Sequence, residues 1–210
     1  MPRWRLTDTW KGRDVFVIGG GDSLRNFDWN LLKRESTIGC NNAFSLGKEI
    51  CDICMFGDAK WFRTFHTQLA KYDGLVFTSQ RDFARSKHSW IWFLDRQPKG
   101  LSKTKLGWNK NTGSNAINLA LILGAKNVYL LGFDMKLSSS NKPNWHDDII
   151  SPPEAKSYVK FVKGFDLVAK DLPVVFPESS IINVTDNSNL TVFPKIGVSE
   201  FWNTRKVKNG

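Results

Sequence analysis

His146, in the run Asn144-Trp145-His146-Asp147-Asp148, is the residue of this sequence best suited to general-base chemistry. An unperturbed imidazole titrates near pH ~6.5, so at neutral pH it can take a proton from a hydroxyl, with Asp147 or Asp148 orienting the ring. His66 and His88 have no such setting. Matching binding chemistry is offered by Gly20-Gly21-Asp22-Ser23, Asn41-Asn42, Gly57-Asp58, and Asp134 with the loop beyond it. The turn Thr112-Gly113-Ser114 opens an apolar helix. Thr112 and Ser114 are good N-cap types, and Gly113 lets the backbone approach a ligand. Amides at a helix start, added to the helix dipole, attract a phosphate.

These clusters converge only if the segments before them are strands of one sheet. Residues 14–19 read as a first buried strand, 37–40 as a second and 52–56 as a third, followed by a helical stretch to about Ala70. Trp29 to Lys33 suggest a short helix, and 75–78 and 91–94 are further strands. From Ala116 to Leu123 only Asn118 is polar, so this helix should lie buried against the sheet and stop at Gly124. Val128 to Leu131 form an apolar run typical of a parallel strand covered on both faces, with Gly132-Phe133-Asp134 at its end. A helix is expected over 154–170 and a last strand over 174–176, with a polar loop over 138–153. The expectation is an α/β fold with a mostly parallel sheet and helices on both faces, in a single domain over 1–210. Ligands of such sheets collect at the carboxyl edge. Residues 96–111 carry Pro98, Gly100 and Gly107 without periodicity and read as a long basic loop or lid; 203–210 read as a flexible tail with Arg205, Lys206 and Lys208.

Thirty Lys and Arg against twenty Asp and Glu give a formal charge of +10, which favours an anionic partner. Eight basic and two acidic residues lie between Arg81 and Lys110, interleaved with Trp90, Trp92 and Trp108. That combination could stack on bases or sugars while binding phosphate, with Lys99, Lys103, Lys105 and Trp108 as acceptor contacts. Cys51 and Cys54 have the spacing of a zinc half-site, but no second Cys or His pair matches it, so Cys40, Cys51 and Cys54 read as buried, inert thiols. No secretory signal or apolar run of about 20 residues is visible, and a cytoplasmic location without a membrane span is expected. Oligomeric state is not legible.

Five motifs together resemble the bacterial sialyltransferase-like nucleotide-sugar transferases and the related 6-hydroxymethylpterin pyrophosphokinase-like proteins, which include phage-encoded chains. They are Val17-Ile-Gly-Gly-Gly-Asp-Ser-Leu24, Gly39-Cys-Asn-Asn42, Thr112-Gly113-Ser114 with helix and strand through Asp134, His146, and Asn183-Val-Thr-Asp-Asn-Ser188. The resemblance implies a modified Rossmann fold and inverting transfer without an essential metal or a permanently bound cofactor. It implies that Gly20, Gly21, Asp22, Ser23, Asn41, Asn42, Asp58, Thr112, Gly113, Ser114 and Ser188 line a nucleotide cleft, with His146 as base and Asp134 beside it. Such sialyltransferases carry two tyrosines before the histidine that steady the departing phosphate; residues 135–145 here contain none. Tyr158, Lys136, Lys142 or a basic residue of 96–110 would take that role.

The function expected is transfer of a sugar from a nucleotide-sugar donor to the hydroxyl of an anionic acceptor, DNA or a phosphorylated glycan. One alternative is a pterin-type pyrophosphokinase, with Mg²⁺ held by Asp22, Asp58 and Asp134 or by Asp147 and Asp148. Another is a non-catalytic nucleic-acid-binding protein using the basic, Trp-bearing loop.

Overall fold

Alternation of two apolar faces builds the sheet. In β1 (Asp14–Ile18), Val15 and Val17 point to one face while Phe16 and Ile18 point to the other, all fully buried. The same division continues through β2 (Ser36–Cys40), β3 (Ile53–Phe56) and β4 (Leu75–Thr78). It also holds in β5 (Ile91–Phe93), β8 (Asn127–Leu131) and β9 (Ser180–Asn183). A computed structural model describes residues 9–83, 88–138, 144–148 and 155–209. Its seven-stranded sheet has the order β5-β4-β3-β2-β1-β8-β9, with every pairing parallel. The chain walks outward from β1 to β5, then returns to the other side of β1 to form β8. The β1/β8 boundary is therefore the topological switch point.

Helices α2 (Thr112–Ile122) and α3 (Ala155–Val175) cover the face of Val15, Val17, Met55 and Leu130. Opposite them lie α1 (Ala59–Leu69) and α4 (Val198–Asn209), with short 3-10 turns at 22–24, 29–32 and 41–46. No helix among the described residues is long and apolar enough to cross a membrane.

Three expectations are corrected. Residues 174 and 175 are not a strand but the last turn of α3, where Val174 is 80% exposed. The sheet edge is taken by β9, whose Ile181 is buried against Val128. The segment 96–111 is mostly the loop expected but is not loose, because β6 (Arg96–Gln97) and β7 (Leu106–Gly107) pair in parallel within it. Asn118, the one polar residue of the α2 apolar run, explains this, because its Oδ1 accepts from the Ser102 and Gly107 amides and its Nδ2 donates to the Ser102 carbonyl. Asn109 likewise brackets Gly100 through both its N–H and its carbonyl. Finally, 203–209 belong to α4 instead of a frayed tail. Arg205 pairs with Asp14 at 2.6 Å and Glu35 at 2.8 Å, and its guanidinium lies 5.2 to 5.9 Å from the ring centres of Phe16, Tyr129, Phe201 and Trp202.

Arg205→Ala strands two half-buried carboxylates and should lower stability by about 1–3 kcal/mol in urea unfolding. A free tail would lose nothing measurable.

Candidate functional site

The carboxyl ends of β1 and β8 approach so closely that side chains are excluded. Gly19 donates to the Leu131 carbonyl at 2.7 Å and Gly21 to the Gly132 carbonyl at 2.9 Å. A Cβ on Gly19 would meet the Gly132 carbonyl oxygen at 2.5 Å, and Gly132 itself stands at φ +68°, a conformation that favours glycine. Asp134, 8% exposed, closes the junction. Its Oδ2 accepts from the Ser23 amide at 2.9 Å and its Oδ1 from the Ser23 hydroxyl at 2.6 Å. Burial raises the Asp134 carboxyl above its ordinary range, and the two Ser23 bonds oppose that shift. Asp134 thus holds the glycine turn in place, with both carboxylate oxygens engaged by Ser23.

Over this turn lies the segment carrying His146. Trp145 donates from its backbone to the Gly20 carbonyl and from its indole to the Gly19 carbonyl, each at 3.0 Å. Arg25 ties the same segment down, donating to Asp22 at 2.8 Å, to the Asn144 carbonyl at 2.8 Å and to Asp147 at 3.2 Å. The Nδ1 of His146 is buried without a hydrogen-bond partner, and a backbone hydrogen bond with Asp148 steadies the ring. Burial lowers the His146 pKa from 6.5, opposed in part by Asp148 and Asp147. The ring therefore favours the neutral state that a base requires.

Two adjoining depressions open here. The larger, about 540 Å³, is lined by Gly19, Gly20, Asn41, Asp58, Gln80, Trp108, Lys110, Thr112, Gly113 and Gly132, among others. The smaller, about 230 Å³, is lined by Asn41, Asn42, Asp58, Lys60, Trp61, His146 and Asp148, and shares Gly20, Cys40 and Asn144 with the first. Their common wall is the end of β2, where Asn41 stands at φ +52° with its Oδ1 shielded and unpartnered. Asn42 accepts the Trp61 indole N–H at 2.5 Å, and Asp58 caps α1 through the Lys60 and Trp61 amides. Gly57 leaves room for the Trp108 ring, over which Arg96 sits at 5.4 Å.

Several expected residues face elsewhere. The N-cap of α2 is Asn111, whose Oδ1 accepts from the Ser114 amide at 2.6 Å. Asn111 is as good an N-cap type as Thr112 and Ser114, and its place three positions before Ser114 is the signal that the sequence carries. Ser114 is fully buried and its hydroxyl is spent on Gly107 and Asn109, so only Thr112 and Gly113 of that turn reach the cleft. Ser188 is buried too, donating to the Phe133 carbonyl at 2.5 Å; it braces the loop beneath the site. Asp22 turns to Arg25, and Ser23 to Asp134. Lys99, Lys103 and Lys105 are exposed and line neither depression. Tyr158 and Lys136 line a separate groove, while Lys110 stands on the larger depression; Lys142 lies outside the described residues. Cys51 and Cys54 are buried with their thiols on the carbonyls of Ile53 and Asn41, and burial pushes the thiols of Cys40 and Cys51 up to about 12. Sequence reasoning missed Arg25, Asn111 and the clamping role of Trp145.

A larger cavity, about 770 Å³, opens at the opposite, amino edge of the sheet. Its four basic residues (Arg13, Lys33, Arg34, Lys48) are matched by four carboxylates (Glu35, Glu49, Asp52, Asp73), so it offers an anion no net attraction. The carboxyl edge, with its helix start and glycine turn, is the candidate site.

No family model matches the chain, and no curated protein matches it. Solved structures do. The sialyltransferase CstII from Campylobacter jejuni, in complex with the substrate analogue cytidine-5'-monophosphate, aligns with a TM-score of 0.56 at 14% identity, over 89% of this chain and 86% of that one. The sialyltransferase CST-II in complex with trisaccharide acceptor and CMP gives 0.55 at 16% identity, over 88% and 86%. The MAf glycosyltransferase from Magnetospirillum magneticum AMB-1 gives 0.62 at 15% identity over 93% of this chain, which spans only 37% of that protein. At these identities the likeness establishes the fold: a Rossmann-like, glycosyltransferase-like α/β domain.

Removing the Asp134 clasp tests the architecture. Asp134→Ala should cost about 1.5–3 kcal/mol, because two donors of Ser23 lose a charged acceptor. Since burial raises this pKa, ionising Asp134 costs stability as the pH rises past it, a cost that Asp134→Asn escapes. Thermal melts at neutral pH should therefore rank Asp134→Asn well above Asp134→Ala.

Proposed function

We propose that this chain is a glycosyltransferase that moves a sugar from a nucleotide-sugar donor to an acceptor hydroxyl. The observation that carries the reading is that His146 and the α2 start open onto adjoining depressions at the switch point. The donor phosphates meet the Thr112 and Gly113 amides, which as the first of the helix have no helical carbonyl to bond. Gly19 and Gly20 let them come close, and Lys110 adds a positive charge. The acceptor hydroxyl gives its proton to His146 as its oxygen forms the bond to the anomeric carbon. The bond from that carbon to the nucleotide oxygen breaks, and its electron pair leaves with the phosphate. Amides and Lys110 stabilise the departing charge, a role that the family's tyrosines would otherwise fill. Single displacement inverts the anomeric centre. The fold likeness to a sialyltransferase in complex with CMP supports a nucleotide at this edge.

Two competing readings fare less well. Diphosphate transfer needs carboxylates ready for Mg²⁺, yet Asp22, Asp58 and Asp134 already serve Arg25, the α1 amides and Ser23, and of the second pair Asp147 meets Arg25 at 3.2 Å while Asp148 is exposed. Among the described residues, no three His, Cys, Asp or Glu stand together as metal ligands. Nucleic-acid stacking needs free aromatic faces, but Trp90 packs on Phe62, Trp92 on Phe77, and Trp108 carries Arg96. The exposed Lys99, Lys103 and Lys105 support the narrower reading of an anionic acceptor, DNA or a phosphorylated glycan, approaching beside the cleft.

His146→Ala should reduce transfer by about 10²–10⁴-fold while leaving nucleotide affinity within a few-fold. Because burial depresses the His146 pKa, the acid limb of the wild-type rate profile should have its midpoint below pH 6.5 and vanish in the variant. An unchanged limb would remove His146 from the reaction. Transfer abolished by a chelator would instead favour diphosphate chemistry. Charge reversal at Lys99, Lys103 and Lys105 should raise the acceptor KM with little change in donor KM; no change would remove the anionic acceptor.

A further inference from the structure

The two depressions differ in charge. Asp58 lines both; to it the larger one adds Lys110 and the α2 start, where phosphate would bind. Among the described residues, the charged lining of the smaller one is Asp58, Asp148 and Lys60, and Lys60 is already engaged in another interaction. A base acting on an acceptor hydroxyl must sit close to the carbon under attack, so the donor's sugar extends from the larger depression toward His146. It then lies among the carboxylates of Asp58 and Asp148.

We infer that the sugar transferred is an uncharged hexose-type ring, and that donors of acidic sugars are rejected. The inference rests on the nucleotide-sugar reading above. A carboxylate on the sugar would face the exposed carboxylates of Asp58 and Asp148, and like charges repel. Hydrogen bonding points the same way. The Oδ1 of Asn41 is an acceptor without a partner, the Oδ1 of Asn42 is held by Trp61, and Asp148 is a further acceptor. Such a wall needs donors; sugar hydroxyls supply them, and an ionised carboxylate has none. Size agrees as well: about 230 Å³ holds roughly seven waters at ~30 Å³ each, room for one six-carbon ring and little beyond.

Calorimetric titration of the intact chain with three matched sets tests this. Each set has a bare nucleotide, a neutral-sugar donor and an acidic-sugar donor: CMP and CDP with CDP-glucose and CMP-sialate; UDP with UDP-glucose and UDP-glucuronate; GDP with GDP-mannose and GDP-mannuronate. For any base that binds, the neutral donor should bind at least as tightly as its bare nucleotide. The acidic donor should bind about tenfold more weakly or worse. Asp148→Asn, at an exposed position, should narrow that gap at least about threefold. An acidic donor binding as tightly as its neutral counterpart overturns the sugar assignment alone, as does a gap indifferent to Asp148→Asn. Failure of every bare nucleotide to bind overturns the nucleotide reading and the sugar assignment together.

Discussion

The ends of β1 and β8 meet at a single clasp, in which the Asp134 carboxylate accepts both the amide and the hydroxyl of Ser23. The rest of the site is hung from that junction. Because the strands are neighbours running in parallel, their carboxyl ends would otherwise release two loops in unrelated directions. The clasp fixes the glycine turn against Gly132, and the exposed carbonyls of Gly19 and Gly20 then become the acceptors that seat Trp145. His146 reaches the cleft only because its neighbour is so held. A charge buried to organise backbone is expensive, and the raised Asp134 pKa records the cost.

A second constraint acts from the other side of the sheet. Helix α2 is apolar nearly all round, as a helix inserted between sheet and α3 must be, yet it carries Asn111, Ser114, Asn115 and Asn118. Three of these turn toward the segment 100–109 and satisfy its backbone, while Asn115 bonds the Ser79 hydroxyl at 3.0 Å. A segment that looks loose in sequence is thereby fastened to the core, and Trp108 and Lys110 become fixed walls of the cleft. Opposite faces of the sheet thus deliver opposite walls: the α2 side brings amides and a cation, and the β2 and β3 ends bring Asn41, Asn42 and the carboxylate of Asp58.

Periodicity made the strands expected at 14–19, 37–40, 52–56, 75–78, 91–94 and 128–131 legible, because each contains a short apolar run, and four of these runs lead into Gly or Asn. The carboxyl edge could be expected to gather Gly20, Asn41, Asp58 and His146, but the strand order that makes the β1/β8 boundary the switch point is a matter of pairing that no local run encodes. Side-chain direction did not follow. Ser114, Ser188, Asp22 and Ser23 stand in the right turns, but each finds a closer partner within the protein. Sequence gives the address of a polar group and not whether its hydrogen bonds are already used. The strand expected at 174–176 failed for a related reason: Val174 and Val175 favour strands intrinsically, but α3 continues through Pro173, and the sheet edge is filled by Ser180–Asn183. Arg205 shows the same limit, since nothing near it in sequence announces Asp14 and Glu35.

On the proposed reading a nucleotide binds at the switch-point edge, and not in the larger cavity at the amino edge. Backbone amide shifts in an NMR titration with nucleoside diphosphates test it most directly. The account predicts saturable shifts at Gly20, Gly21, Thr112 and Gly113, with His146 ring signals following when a sugar is attached. Shifts confined to Arg13, Lys48 and Asp52 at the amino edge, or none at all, would contradict it.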